Sequence, residues 1–392
     1  MTAKTRIDVY GRHTVTDMPI YLDHAASTPV DPRVLEAMLP WFTDQPGNAA
    51  SQHAQGRMAS AAVERARGQI ASMLGTTGQC VTLVSGATEG CNLAIKGLVR
   101  PRLRRGECVH IVTSAIEHPA VLDPIRRLER EGAEVDLVPP TPSGWICPKN
   151  IIQKMRDDTA MVSLQWVNNE LGTINDVEAV GEACRDRGVL FHCDASQAPG
   201  KLPIDLSHMP IDAITISGHK MHGPKGIGAL VLQGRAEGRP VEPIFEGGGH
   251  ERGLRSGTLN VPAIVGFGQA SAYVASGGEA ERERIAALMD QLRTGLETAQ
   301  PDAIINGDPG WKVPHILSVT IPSQHPDPLV ERLSGIACSS GSACGSARHE
   351  PSHVLRAIGL DDAAIANTIR LSLGQTTTRE DIDATIGILG SV

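Results

Sequence analysis

The chain has 392 residues, 41% of them hydrophobic, and 36 Lys+Arg against 44 Asp+Glu give a formal net charge of −8. That apolar content excludes disorder as the main state, and the acidic balance argues against broad polyanion binding. With only 4 Phe, 4 Trp and 3 Tyr, a base-stacking platform is excluded too, so no direct nucleic-acid binding is expected.

At ~150 residues per domain the length predicts two to three domains. Residues 1–18 mix Lys4, Arg6 and Arg12 with Asp8 and Asp17 and hold no apolar stretch. They read as a solvated N-terminal extension, neither secretory signal nor transit peptide. From residue 57 the pattern alternates. A helix over 57–74 is followed by a short apolar run, 80–86, and a helix over 87–100. Next come a strand running into a loop (108–118), a helix (120–132), strands over 133–140 and 159–170, and a helix over 177–188. Strands at 189–197, 211–220 and 226–233 complete the series. Strand–helix alternation of this kind predicts an α/β fold with a mainly parallel sheet. After residue 262 the character changes. A charged amphipathic helix (275–300), a strand (316–322), a helix (327–335), a Gly/Ser loop, short helices at 351–358 and 361–367 and a strand (369–374) predict a smaller α+β unit. No apolar run approaches the ~18 residues of a membrane span. The eight cysteines show no metal-type spacing, and a reducing cytoplasm is the default compartment.

In an open parallel sheet, ligands bind at the carboxyl ends of strands. The polar groups at those ends are Ser85, His118, Asn169, Asp194 and the run Ser217–Lys220. SGATEG (85–90) joins a strand to a helix, and Ala87 and Thr88 would offer N–H groups to a phosphate. An ordinary cap by Ser85 or Thr88 is the plainer reading. SGHKMHGPKG (217–226) sets Lys220 on a turn after an apolar strand, where an amine can form a Schiff base. A surface lysine would look similar. Asp194 ends the run VLFHCD, where a carboxylate needs a positive partner. That partner is either a Lys or Arg or a protonated pyridine nitrogen. Together, a phosphate cradle, a lysine and a pyridinium carboxylate are what pyridoxal phosphate (PLP) requires. Cys344 lies in SSGSACGS, a loop of small polar residues where a thiol is available as a nucleophile. Cys338 is read as packing. Arg370, on a strand, suits either a substrate carboxylate or a salt bridge.

The motifs YLDHAASTPVDPRV (21–34), SGATEGCNLAIKG (85–97), EHPAVL (117–122), VNNELG (167–172), HCDASQAPGKLPID (192–205), SGHKMHGPKGIGAL (217–230), GGGHERGLRSGT (247–258), SSGSAC (339–344) and EPSHVLRAIGL (350–360) resemble those of the cysteine desulfurases of the NifS/IscS type. The resemblance covers nearly the whole chain. It implies a fold-type I PLP-dependent transferase of the class-V aminotransferase family, with a seven-stranded, mainly parallel sheet in a large domain (31–265). A smaller α+β domain (266–392) carries the cysteine loop, and residues 1–30 form an extension that joins the smaller domain.

The resemblance also assigns roles. Lys220 holds PLP, His118 stacks on its ring and assists proton transfer, and Asp194 partners the pyridinium nitrogen. Gln197 contacts the phenolic oxygen, while Ala87, Thr88, Ser217 and His219 bind the phosphate. Thr258 reaches the phosphate of a neighbouring subunit, which implies a homodimer. Asn169 and Arg370 bind the carboxylate of L-cysteine, with Asn169 also beside the cofactor. Cys344 accepts the sulfur as a persulfide and passes it to an acceptor protein, leaving L-alanine. The acceptor's pathway is iron–sulfur assembly, tRNA thiolation or DNA phosphorothioation. No intrinsic metal is expected, although Cys344 would touch an iron–sulfur cluster during transfer. Gly345 stands where the family has Thr, Ala49 where it has Pro, and the longer C-terminal tail of housekeeping members is absent. Two other readings remain open. One is a selenocysteine lyase or related class-V enzyme that does not need Cys344. The other is a non-catalytic PLP-fold binding module, against which Lys220 and Asp194 both speak.

Overall fold

The computed structural model describes residues 18–340 and 351–392, together with the backbone of two short paired strands, Thr5–Ile7 and His13–Val15. Its largest sheet has seven strands: β1 (Val81–Val84), β2 (His110–Ser114), β3 (Glu134–Val138), β4 (Thr159–Gln165), β5 (Leu190–Asp194), β6 (Ala213–Ser217) and β7 (Gly228–Leu232). Their spatial order is β1-β7-β6-β5-β4-β2-β3. Six run in one direction and β7 runs against both its neighbours. The α/β architecture and the seven-stranded, mainly parallel sheet expected from the sequence are both present.

Alternation along the strands builds two cores. Leu83, Val112, Val162, Phe191, Ile214 and Ala229 face one side, with the helices Ala54–Leu74 and Val177–Asp186 and the start of Val261–Ala299. Val84, Ile111, Met161, Leu190, Ala213 and Leu230 face the other, beneath Ala87–Arg104 and Pro119–Arg130. Burial on both faces explains why these strands read as continuous apolar runs.

A second, antiparallel sheet contains β8 (Ile304–Asn306), β9 (Ile316–Thr320), β10 (Ser339–Ser340) and β11 (Thr368–Ser372), in the order β8-β9-β11-β10. Its core gathers Leu317, Val319, Ile369 and Leu371 with Ile285, Leu292 and Leu296. The 39-residue helix Val261–Ala299 therefore serves two cores, its first turns packing on the large sheet and its last turns on the small one. The sequence predicted only its charged second half. The first half is apolar and Gly-rich because it lies against Ala54–Leu74, where a Cβ on Gly268 would fall 2.5 Å from Ala66 Cα.

Other differences concern short elements. Helices Pro32–Met38, Pro148–Lys154 and Arg379–Leu389 and strand β8 were not anticipated, and the helix expected over 327–335 is only Leu329–Arg332. One to three turns give too few apolar repeats to show a period.

Segments far apart in the chain meet. Ile20–Tyr21 pairs in parallel with Ile336–Ala337, and Leu22 N donates to Ala337 O at 2.9 Å. A buried ion pair also ties distant segments. Arg67 binds Glu251 through both guanidinium ends, at 2.7 and 2.8 Å, and Glu251 also accepts Leu83 N at 2.8 Å. Such a pair fixes position because either charge alone would be costly to bury. It anchors the loop that leads to Thr258. No helix among the described residues is long and apolar enough to cross a membrane.

Candidate active site

Six parallel strands point their carboxyl ends to one edge, and a cavity of about 570 Å3 lies there. Five of them, all but β3, deliver lining groups. After β1 the chain turns at Gly86 into the helix Ala87–Arg104, which starts without a side-chain cap. The expected cap by Ser85 or Thr88 does not form. Glu89 instead turns back, accepting Ser85 N at 2.7 Å and pairing with Arg255 at 2.8 Å. The first N–H groups of the helix thus face the cavity, where Ala87 and Thr88 line the wall. The close fit depends on glycine: a Cβ on Gly228 would lie 2.8 Å from Gly86 Cα and 2.6 Å from Ile216 O.

β6 ends at Ser217, whose Oγ is buried and has no hydrogen-bond partner. The following turn, Gly218–Lys220, presents His219 and Lys220. Burial, reinforced by Lys220 and Lys225, pulls His219 down to about 4, so its ring is neutral. Lys220 Nζ donates to Ala25 O at 2.6 Å and Ala26 O at 2.9 Å, which holds it at the cavity rim. It is not the surface lysine of the plainer reading.

β5 ends at Asp194, 6% exposed. Both its side-chain hydrogen bonds, from Ser196 N and Oγ, fall on Oδ1. No Lys or Arg pairs with it among the described residues, which removes the salt-bridge reading. Gln197 donates to Ala25 O at 2.8 Å, and its Oε1 is buried without a partner.

Beyond β2, His118 caps the helix Pro119–Arg130, its Nδ1 accepting Ala120 N at 3.0 Å. That bond assigns the proton of the neutral ring to Nε2. The ring is open to the cavity yet surrounded by protein, and this burial lowers its pKa below the ordinary histidine value. Next to it, Glu117 is wholly buried. Burial pushes its carboxyl up to about 8, against the opposing bonds from Ser114 and Gln165. The raised pKa means that the fold favours the protonated acid. Its stabilising contribution is complete below about 4.5 and is lost as the pH rises through about 8. A Glu117→Gln variant is therefore expected to lose less stability between pH 5 and pH 8 than the parent, by a few kcal/mol, in denaturant titrations.

Arg370 enters from β11 of the small sheet, 5% exposed. Its Nη1 donates to Asn169 O at 2.8 Å, and Nη2 reaches Asp23 at 2.7 Å and Ser339 at 2.6 Å. The salt-bridge reading is met, and the arginine also lines the cavity, with Nε unpartnered among the described residues. The sequence missed Asp23 and Ser339 because the partners are 347 and 31 residues from Arg370.

The cavity brings together Ala87, Thr88, His118, Asn169, Asp194, Gln197, Ser217, His219, Lys220 and Arg370. Thr258 is exposed and lies elsewhere on this chain. Cys344 lies outside the described residues. Cys338 packs beside the small core, and burial pushes its thiol up to about 12.

A seven-stranded α/β sheet, a lysine on the turn after one strand, a carboxylate ending the next strand and an uncapped helix start after the edge strand β1 define an aminotransferase-type architecture. The chain belongs to the aminotransferase class-V family, whose model matches residues 20–385. That family is PLP-dependent. The chain is 47% identical over 375 residues to the cysteine desulfurase IscS of Escherichia coli O139:H28 (strain E24377A / ETEC), covering 95% of this chain and 92% of the relative. Among solved structures, a NifS-like protein superposes with a TM-score of 0.87 at 33% identity, covering 95% of this chain and 99% of the other. SspA in complex with cysteine superposes at 0.80 with 37% identity, covering 90% and 98%. The chain is a homologue of cysteine desulfurases.

Proposed function

We propose that this chain is a PLP-dependent cysteine desulfurase that converts L-cysteine to L-alanine and leaves the sulfur as a persulfide on Cys344. The observation that carries the reading is the single cavity in which the Lys220 amine, the Asp194 carboxylate and the unpartnered Ser217 hydroxyl sit at the ends of neighbouring strands.

These residues fit PLP. The N–H groups of Ala87 and Thr88, with Ser217 and His219, form a cradle of donors for a phosphate. Asp194 has one carboxylate oxygen free for a pyridinium proton, and Gln197 reaches for a phenolic oxygen. Thr258, exposed on this chain, serves the phosphate of a second copy in a homodimer. When bound, PLP supplies a sink for the electron pair left when an amino acid loses its Cα proton.

The protein's own residues do the rest. Lys220 holds the cofactor and, as the nearest amine, carries the Cα proton. His118, neutral with its proton on Nε2, is placed to donate it. Asn169 and the Nε of Arg370 orient the substrate carboxylate. The Cys344 thiolate attacks the substrate sulfur. One S–S bond forms, the substrate C–S bond breaks, and the carbon takes a proton, so thiol plus cysteine gives persulfide plus alanine with no outside oxidant.

We further infer that residues 31–265 work as the cofactor domain and 266–392 as the smaller domain that brings the cysteine loop. An acceptor protein then takes the sulfur, in iron–sulfur assembly, tRNA thiolation or DNA phosphorothioation. The seven described cysteines are all unpaired, which suits a reducing cytoplasm.

The test is mass spectrometry after exposure to L-cysteine. The expected result is one added sulfur on the peptide containing Cys344, with alanine released in equal amount. Alanine without that added sulfur would overturn the persulfide step.

A further inference from the structure

Behind Lys220 lies a second cavity of about 400 Å3, and Lys220 borders both. Val34, Met221, Ala270, Val274 and Leu373 give it an apolar wall. Lys201, His24, His222 and His315 also line it. Lys201 is 7% exposed, and its ammonium has no hydrogen-bond partner among the described residues. His24 is 2% exposed with both ring nitrogens unpartnered, and Nδ1 of His315 is unpartnered as well.

The charges of the cavity do not balance. Asp31 is held by Arg33 at 2.7 Å and by Gln375 at 3.0 Å, and Glu281 by Arg284 at 2.7 Å. Both acids are therefore taken, and among the described residues Lys201 is left without a counter-ion. A buried charge without one is costly. Burial, then the charges of Lys220 and Arg370, bring Lys201 down to about 7. The imidazoles add no charge: burial holds His24 at about 3, His222 below its ordinary value and His315 well below it. His24 and His315 remain N–H donors, whereas His222 already commits its Nδ1 to Pro29 O at 3.0 Å. The Lys201 ammonium, two neutral imidazole donors and an apolar wall complement a ligand with one negative charge, two acceptor oxygens and an apolar tail, while Lys220 at the border is held by the carbonyls of Ala25 and Ala26.

We propose that this cavity binds a small organic monocarboxylate, its carboxylate on Lys201 and the imidazoles of His24 and His315, its tail against Val34, Ala270 and Val274. An amino acid fits poorly, because its ammonium would find both cavity acids already paired. The site is distinct from the catalytic cavity and does not depend on the desulfurase reading.

Calorimetric titration of the full, PLP-supplemented protein with butyrate tests this. One-site saturable binding is expected, weakening as the pH rises through 7 and Lys201 loses its proton. K201M should weaken it by roughly tenfold or more, while K201R largely restores it. V274F, which fills the apolar end and leaves the charge in place, should block it and decides the matter should K201M not fold. L-alanine should fail to displace butyrate. Absent binding, binding unchanged in V274F, or displacement by alanine would each overturn the proposal. The readout does not involve PLP, so a protein that failed to take up PLP would sink the desulfurase reading and leave this one standing.

Discussion

A Lys220→Ala variant is expected to lose both covalent cofactor attachment and turnover of L-cysteine. Lys220 Nζ is held by the carbonyls of Ala25 and Ala26 at the rim of the main cavity, and the cavity offers one other lysine, Lys225, on the far side of the turn. Loss of the proton carrier alone costs roughly 10²–10⁴-fold in rate. Loss of the amine that holds PLP adds to this. The fold should survive, since Ala25 O keeps its bond from Gln197 and the Ala26 carbonyl faces a cavity that water can enter. Two measurements check it. After borohydride reduction, the parent should carry a pyridoxyl group on the peptide containing residue 220 and the variant none. Alanine release should fall in parallel, and a variant that still turned over cysteine at the parent rate would refute the assignment.

A Cys344→Ala variant should separate the two halves of the chemistry. Cofactor binding depends on the large-sheet cavity and should be untouched. Alanine formation from cysteine should fall by roughly 10³-fold or more, because no other group is assigned to accept the sulfur. None of the seven described thiols lines the main cavity, so none is placed to substitute. Cys338 is packed in the small core with its thiol pushed up to about 12, and burial raises Cys184 to the same value. Unchanged alanine release would instead favour an enzyme that frees its product without a protein thiol, such as a selenocysteine lyase.

The large sheet and the groups at its strand ends were legible in the sequence because each strand is a buried apolar run that stops at a polar residue. Lys220, Asp194 and His118 were found that way. The reversal of β7 was not, since an apolar pentapeptide carries no sign of direction. Asp23, Ser339 and the carbonyls of Ala25 and Ala26 were equally hidden, because the residues they serve lie about 30 to 350 positions away. Lys201 was invisible for another reason. Its neighbours Gly200 and Leu202 suggest nothing, and only folding shows that its charge is enclosed beside three histidines. Helix Val261–Ala299 was half legible: its charged turns display a helical period, whereas its apolar turns are surrounded on several sides.

The segment from Ile20 to Thr28 imposes an order on biosynthesis. It lines the lysine through Ala25 and Ala26, pairs with Ile336–Ala337, and its Asp23 holds Arg370. Those residues are made before their partners, which follow them by about 195 to 347 positions. The cavity therefore cannot close until synthesis has run 347 residues past Asp23, to Arg370.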